Sequence, residues 1–400
     1  MDNLKEALME HISTERLIDR TSDMVRIESY YGIPNQETGV AKYVKSIFDA
    51  NDIPCYLKEV ADGRCNVIAT LDSGVPGKTL MFNCHIDTVE PNGWEEAFEP
   101  KVVDGNLYGR GSQDDKGPLA CVIEAVLAIK ATGALKKGKI VVTGVLDEER
   151  NSIGTIDIVE SRIPADAVVI AECTRFEIQT CQRGLEWLKF HFTGKAVHGC
   201  RQREGINAIS KAVKFCTVLD EKLIPGFYAK KHPVLKEATI NYGVIHGGTQ
   251  LSTVAGECDV YVDTRFLPYQ SYEEVLGEFQ AVLDDLAAKD PEFKCEMSVS
   301  EAAALKDGYL HLPFETPLDH PVVSSLQTAI EAATGEEAKI GYMPAWTDGG
   351  LLARYGLEYP TVILGPDGGN AHTKDEFIPV ASLPKTALIY ALTALEFCQD

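Results

Sequence analysis

The sequence predicts an α/β fold: a mostly parallel sheet covered by helices, with a smaller α+β domain inserted into it. Three observations predict this. Short runs rich in Val, Ile and Leu at 66–71, 79–84, 140–146 and 167–171 alternate with stretches of helical apolar spacing. Such runs suit strands buried on both faces of a parallel sheet. Between about 182 and 303 the pattern becomes strand, helix, strand, strand, helix, strand, the split order of a ferredoxin-like sandwich. After 305 the alternation of helix and strand returns. A chain of 400 residues, 45% of them apolar, fills roughly two to three domains. The expected division is a first part of the larger domain at 1–181, the inserted domain at 182–303, and a second part at 304–400.

The elements follow from local signals. Residues 16–29 and 37–50 have helical apolar spacing. The stretch 118–130 carries Leu119, Val122, Ile123, Val126 and Leu127 on one stripe. Its first residue, Pro118, loses only an N–H that would be unpaired in the first turn. Ala131-Thr132-Gly133 ends it. In the inserted domain, 187–193 alternates as a strand and 205–222 reads as one amphipathic helix. Strands are expected at 238–246 and 258–266, a helix at 271–289 and a last strand at 293–299. The closing part holds a helix at 322–334, a Val/Ile strand at 361–364, a Gly-rich loop and a helix at 381–398.

Charge and cysteine usage narrow the partners. Thirty-eight basic side chains face 60 acidic ones, a net charge of −22. Nucleic acid or an anionic membrane would require a basic footprint, so neither is an expected partner. The first residues, Met1-Asp2-Asn3-Leu4-Lys5-Glu6, are charged and no apolar h-region follows. No run of 18 apolar residues occurs, so neither a signal peptide nor a membrane span is expected. Eleven cysteines, an odd number without a C-x-x-C pair, read as reduced thiols of a cytoplasmic protein.

The candidate ligands share one structural address, the loop after a buried strand. The run 80–84 ends in His85-Ile86-Asp87, and 140–146 ends in Asp147-Glu148-Glu149. The run 167–171 ends in Glu172, and 361–364 leads through a Gly-rich turn to Ala371-His372. In an open parallel sheet, ligands gather outside the carboxyl ends of the strands. A buried carboxylate costs several kcal/mol unless it is paired or binds a metal. Any one of these acids alone is most simply a solvated loop residue. Together they point to metal. A fifth place is the Gly-rich loop Gly109-Arg110-Gly111-Ser112-Gln113-Asp114-Asp115-Lys116-Gly117 opening the helix at 118. It is not a phosphate loop, because G-x-x-x-x-G-K-[ST] is absent and two acids stand where phosphate would approach.

His85-x-Asp87-Thr88, Gly109-Arg110-Gly111-Ser112-x-Asp114-x-Lys116-Gly117, Asp147-Glu148-Glu149, Glu172 and Ala371-His372-x-x-x-Glu376 resemble the signature set of the M20 metallopeptidase family. Deacetylases, desuccinylases, aminoacylases, carboxypeptidases and dipeptidases belong to that family. The resemblance spans nearly the whole chain and implies a di-zinc aminopeptidase-like catalytic domain with a lid or dimerisation domain inserted. It implies two Zn²⁺ ions sharing the Asp114 carboxylate, with His85 and Glu172 at one and Glu149 and His372 at the other. Co²⁺ and Mn²⁺ are the alternatives. Asp87 would hydrogen-bond the far nitrogen of His85 and fix its tautomer. Glu148 would be the general base, taking a proton from water and delivering it to the leaving amine. The Asp114–Asp115 peptide would be cis. In the inserted domain His198 matches the histidine that donates to the developing oxyanion, often from the partner of a homodimer. Asn207 matches a substrate contact, and its plain alternative is an N-terminal helix residue. Arg265 matches a strand-end arginine that grips a substrate carboxylate, and its plain alternative is pairing with Asp263. Arg183 is a lesser candidate for the same role.

The implied activity is zinc-dependent hydrolysis of the amide bond of an N-acyl amino acid, with an exopeptidase or dipeptidase as the alternative. The turn 251–256, the loop 345–350 and Asp115, where many members carry methionine, depart from the family pattern. The two loops leave the substrate's identity open. From other classes, a non-catalytic metal-binding scaffold is disfavoured by the intact Glu148. A cysteine hydrolase is disfavoured because no thiol has an evident histidine partner in the sequence.

Overall fold

The computed structural model describes residues 2–306, 308–355 and 359–399. The chain divides into two compact units: Met1–Cys181 with Glu315–Met343 and Thr347–Asp400, and Gln182–Phe314 with Pro344–Trp346.

The larger unit is built on a nine-stranded sheet. Its middle is four adjacent parallel strands in the order Lys139–Val145, Thr79–His85, Ala167–Ile170 and Thr361–Ile363. Every residue of Ala167–Ile170 and Thr361–Ile363 is buried, as both-faced burial requires. Arg64–Asp72 is antiparallel to Lys139–Val145, so the expected strand at 66–71 is present but reversed. The reason is local. Asp62 and Gly63 both have positive φ, +46° and +77°. They form the two-residue turn that folds Cys55–Ala61 and Arg64–Asp72 into a hairpin.

The helices Lys116–Thr132 and Leu383–Gln399 are buried around most of their circumference, which marks interior helices. The first starts two residues before Pro118 and stops at Gly133, whose left-handed φ of +59° lets its N–H close onto Ile129 and Lys130. Phe82 from the sheet meets Tyr390 of the last helix at 5.1 Å between ring centroids.

The smaller unit has a four-stranded antiparallel sheet in the order Thr239–Gly247, Glu257–Phe266, Gly184–Thr193, Cys295–Val299. With helices Ala208–Val218 and Tyr272–Lys289 between strands, this is the ferredoxin-like arrangement. Phe190, Phe192, Phe215 and Phe279 form its aromatic core. The stretch 205–222 is not one helix. Residues 195 and 206 exchange backbone hydrogen bonds of 2.8 and 3.1 Å, which hold 205–206 extended. Asn207 then caps Ala208–Val218, and a π turn at Leu219–Leu223 follows. Among the described residues no helix is long and apolar enough to cross a membrane.

Candidate metal centre

The parallel strands end together. Residue 85 lies opposite 145, and 83 opposite 170 on the other side, with 363 opposite 170 in turn. Thr79–His85 therefore delivers His85 and Asp87 to the edge where Lys139–Val145 delivers Asp147, Glu148 and Glu149. Glu172 leaves the neighbouring strand at the same edge. The loop after Thr361–Ile363 carries His372. Asp114 arrives from the loop that opens the helix Lys116–Thr132, and its peptide bond to Asp115 is cis.

The carboxylate of Asp114 faces two imidazoles, one from each oxygen. His85 Nε2 lies 2.7 Å from Oδ1, and His372 Nε2 lies 3.1 Å from Oδ2. His85 Nε2 is also 3.7 Å from Glu172 Oε1, and His372 Nε2 is 3.1 Å from Glu149 Oε1. Donors bound to one Zn²⁺ at about 2.0–2.2 Å in tetrahedral geometry lie roughly 3.3–3.6 Å apart; three of these four separations come within about 0.2 Å of that range, and the 2.7 Å contact of His85 with Asp114 is a direct hydrogen bond that an ion between them would open. Donor atoms of His85, Asp114 and Glu149 all lie within 4.8 Å of one another. Neutral imidazole and carboxylate oxygen are the donor chemistry of Zn²⁺ and its first-row neighbours.

The electrostatics show a cluster short of positive charge. Burial holds Glu172 up to about 8, with the Asp114 charge adding to it. Burial, and then Asp114, also raises Glu149. Burial raises Glu148 far more than the opposing pull of His85 lowers it. Burial opposes ionisation of Asp114, but hydrogen bonds from His372 and His85 win and hold it below the carboxylate range. His85 is subject to the same contest: burial lowers it, and the hydrogen bonds to Asp114 and Asp87 raise it well above the usual value. Divalent cations relieve such an excess of carboxylate and invert these shifts.

Asp87 does more than orient His85. His85 Nδ1 lies 3.1 Å from the Asp87 backbone oxygen and 3.4 Å from its carboxylate. The carboxylate oxygens accept the backbone N–H of Glu148 and Glu149 at 3.1 and 3.0 Å. One side chain thus sets both the strand-end histidine and the loop carrying the two glutamates. Two further ion-pair groupings, one around Arg110 and one around Arg64, carried no assigned role in the sequence. Arg110 Nη1 and Glu376 Oε2 meet at 2.6 Å, both fully buried. Glu376 Oε1 accepts the N–H of Gln113 and Asp114 at 3.0 and 3.1 Å, so it fixes the backbone that aims Asp114. Arg64 bridges Glu37 and Asp147 at 2.5 and 2.7 Å and anchors the start of the glutamate loop. The only sequence signal for the Glu376 clamp is its place four residues after His372.

The remaining candidates lie in the smaller unit. His198 is exposed, and its Nδ1 accepts the N–H of Cys200 at 3.3 Å. Asn207 Oδ1 accepts the N–H of Ser210 at 3.2 Å, the helix-capping alternative. Arg265 holds Asp263 through Nε and Nη2 at 2.7 and 3.0 Å, the in-strand alternative. Arg183 donates to the Leu235 carbonyl at 2.6 Å.

A parallel sheet whose strand ends bring carboxylates and imidazoles together defines a class, the hydrolases with metal-ligating strand ends. Within it, residues 81–396 match the model of peptidase family M20/M25/M40, and the chain belongs to that family. It is 26% identical over 423 residues to an N-formyl-4-amino-5-aminomethyl-2-methylpyrimidine deformylase of Bacillus subtilis, covering 99% of this chain and 97% of that one. It is 26% identical over 381 residues to an acetylornithine deacetylase of Vibrio campbellii, covering 91% and 94%. Aminopeptidase PepT of Bacillus cereus shares the fold, with a TM-score of 0.78, 23% identity, and 97% and 99% coverage. The protein is thus an M20 hydrolase acting on amide or peptide bonds.

Proposed function

We propose that this hydrolase is zinc-dependent and cleaves the amide bond of small N-acyl amino acids or related N-acyl amines. The observation that carries the reading is the division of the Asp114 carboxylate between His85 and His372. Asp114, His85 and Glu172 would hold one ion, and Asp114, Glu149 and His372 the other. Co²⁺ and Mn²⁺ suit the same donors. The bound ions supply Lewis acidity, polarising the scissile carbonyl and acidifying water. Glu148 takes the proton of the attacking water and hands it to the leaving nitrogen. Burial of its carboxyl favours the protonated form, which suits a group that accepts the proton of the attacking water. Asp87 holds the Glu148 N–H, which keeps that carboxyl at a constant reach. His198 supplies a donor for the oxyanion, from a second copy in a homodimer, and Arg265, Asn207 and Arg183 contact the substrate.

The deformylase and deacetylase relatives, matched over nearly their full lengths, favour an acyl amide over a peptide. All eleven cysteines are free thiols, which supports a reducing, cytoplasmic setting.

The test is a panel of N-formyl and N-acetyl amino acids, succinyl-diaminopimelate and dipeptides, assayed with Zn²⁺, Co²⁺ or Mn²⁺. Alongside it goes the Glu148→Gln variant. The expected outcome is turnover of acyl amides, with kcat falling about 10²–10⁴-fold in the variant while metal content is kept. Near-normal turnover by Glu148→Gln removes that residue from the mechanism. Turnover of dipeptides alone replaces the acyl-amide reading with the peptidase one.

A further inference from the structure

The strand Arg64–Asp72 ends its ladder with Lys139–Val145 at the pair Val67 and Gly144. One residue further, a side chain takes over from the backbone. Asn66 is fully buried. Its Oδ1 accepts the N–H of Leu146 at 3.1 Å, and its Nδ2 donates to the Gly154 carbonyl at 2.9 Å. Nδ2 also faces Asp157 Oδ2 at 3.4 Å. Gly154 in turn donates its N–H to the Leu146 carbonyl at 3.1 Å. Leu146 and Gly154 flank the loop that carries Glu148 and Glu149, so one side-chain amide and one backbone bond close that loop at its base.

The loop needs such a closure. The Asp147 carbonyl accepts the N–H groups of Arg150, Asn151 and Ser152 at 3.3, 3.2 and 2.7 Å, which curls the chain tightly. Asp147 and Ser152 have φ of +69° and +51°, values that residues with a side chain keep only where the surroundings impose them. The closure is also fitted from its other side. A Cβ on Gly154 would come within 2.5 Å of both Leu146 N and O, and 2.7 Å of Asn66 Oδ1. The φ of Gly154 is not left-handed, so space alone demands glycine there. The bonds of Asn66 reach none of the proposed metal ligands.

We infer that Asn66 is a positioning residue for the hydrolysis: by fixing both ends of the loop 147–153, it sets where the carboxylates of Glu148 and Glu149 stand. Its side chain is an amide, one acceptor and one donor group on a single planar unit, and that unit serves an N–H and a C=O at once. The inference rests on the reading of Glu148 as the base and Glu149 as a metal ligand. Misplacing a reacting group by about 1 Å costs about 10²-fold in rate, so a closure that holds the loop acts on turnover without touching substrate.

The experiment uses the full chain saturated with Co²⁺ and the compound it turns over fastest in the panel above. Asn66→Asp keeps the acceptor for Leu146 but sets an oxygen against the Gly154 carbonyl and the Asp157 carboxylate. Gly154→Ala presses on the same closure from the other side and takes its place if Asn66→Asp does not fold. Both are expected to lower kcat about 10–100-fold with KM within about twofold of wild type. Both should also change the visible absorption of bound Co²⁺ through Glu149 and speed amide exchange over 147–153. The control is Ile330→Ala, a core residue 3% exposed in the helix Pro321–Thr334, which packs on Leu383–Gln399. It should lose stability and keep kcat, spectrum and loop exchange. Normal kcat in Asn66→Asp beside an inactive Glu148→Gln overturns the role of Asn66 and leaves the base in place. A fall in kcat that Ile330→Ala reproduces also overturns it, because general destabilisation then suffices. Normal turnover by Glu148→Gln defeats the base reading alone, and the Co²⁺ spectrum then decides Asn66 through Glu149: a changed spectrum upholds its role, and an unchanged one overturns it.

Discussion

Replacing Glu376 by alanine isolates the clamp that aims Asp114. The side chain is 0% exposed, and its loss removes the acceptor of three donors at once: Nη1 of the Arg110 guanidinium, itself 1% exposed and left with only the Thr373 carbonyl on Nη2, and the N–H groups of Gln113 and Asp114. Breaking a buried ion pair by removing one partner costs about 3–5 kcal/mol. Each orphaned backbone N–H adds about 1–3 kcal/mol, less than additively because the groups are neighbours. The larger unit of Glu376→Ala should therefore be destabilised by about 4 kcal/mol or more, roughly three orders of magnitude in its folding equilibrium. The double variant Arg110→Met/Glu376→Leu removes both charges and should recover a large part of this, since apolar replacement of a buried pair is often close to neutral. The two backbone N–H groups stay unpaired, however, so metal affinity should remain about 10–100-fold weaker in both variants. Denaturant unfolding of chelator-treated protein measures the first quantity, and competition with a chromogenic chelator the second. A loss below about 1 kcal/mol in the single variant, or a double variant as unstable as the single one, would refute the clamp.

Asp87→Asn should keep the fold but weaken metal binding about 10–100-fold. An amide oxygen can replace only one of the two acceptors serving Glu148 and Glu149, and metal titration of the purified variant checks this. Chelation should abolish turnover and lower the melting temperature, with Zn²⁺, Co²⁺ or Mn²⁺ restoring both; at a free-ion concentration about 1,000 times Kd the ions add about 4 kcal/mol of stability. A pH effect is expected from the smaller unit. His311 is buried edge-on against Trp346, and burial, with Arg265 nearby, pulls its pKa down to about 4. Its folded pKa lies below the unfolded value near 6.5, so the unfolded chain binds more protons between the two. Stability is then complete above about pH 6.5 and lost as pH falls toward 4, by up to about 3 kcal/mol. His311→Gln should flatten that part of the stability curve, and an unchanged acid limb would remove His311 as its cause.

The α/β class was legible in the sequence because it rests on short-range periodicity. Strands buried on both faces must be apolar at every position, and amphipathic helices must repeat near 3.6 residues, whatever else the chain does. The address of the candidate ligands was legible for a related reason: residues that follow buried parallel strands arrive at one edge. The family followed from the same motifs. What pattern could not supply was choice of partner. Asp62-Gly63 has the composition of a tight hairpin turn, and only the paired strands show that it reverses Arg64–Asp72. The uniform amphipathic spacing of 205–222 hides the backbone pairing of 195 with 206 that interrupts it. The sequence leaves Arg265 open between a substrate carboxylate and Asp263, and the fold pairs it with Asp263. Asp87 takes the N–H groups of residues 61 and 62 positions later, and Glu376 those of residues 262 and 263 positions earlier. Hydrogen bonding is decided by distance and angle in space. A carboxylate's burial and neighbours, and hence what it can hold, exist only once remote segments have packed around it.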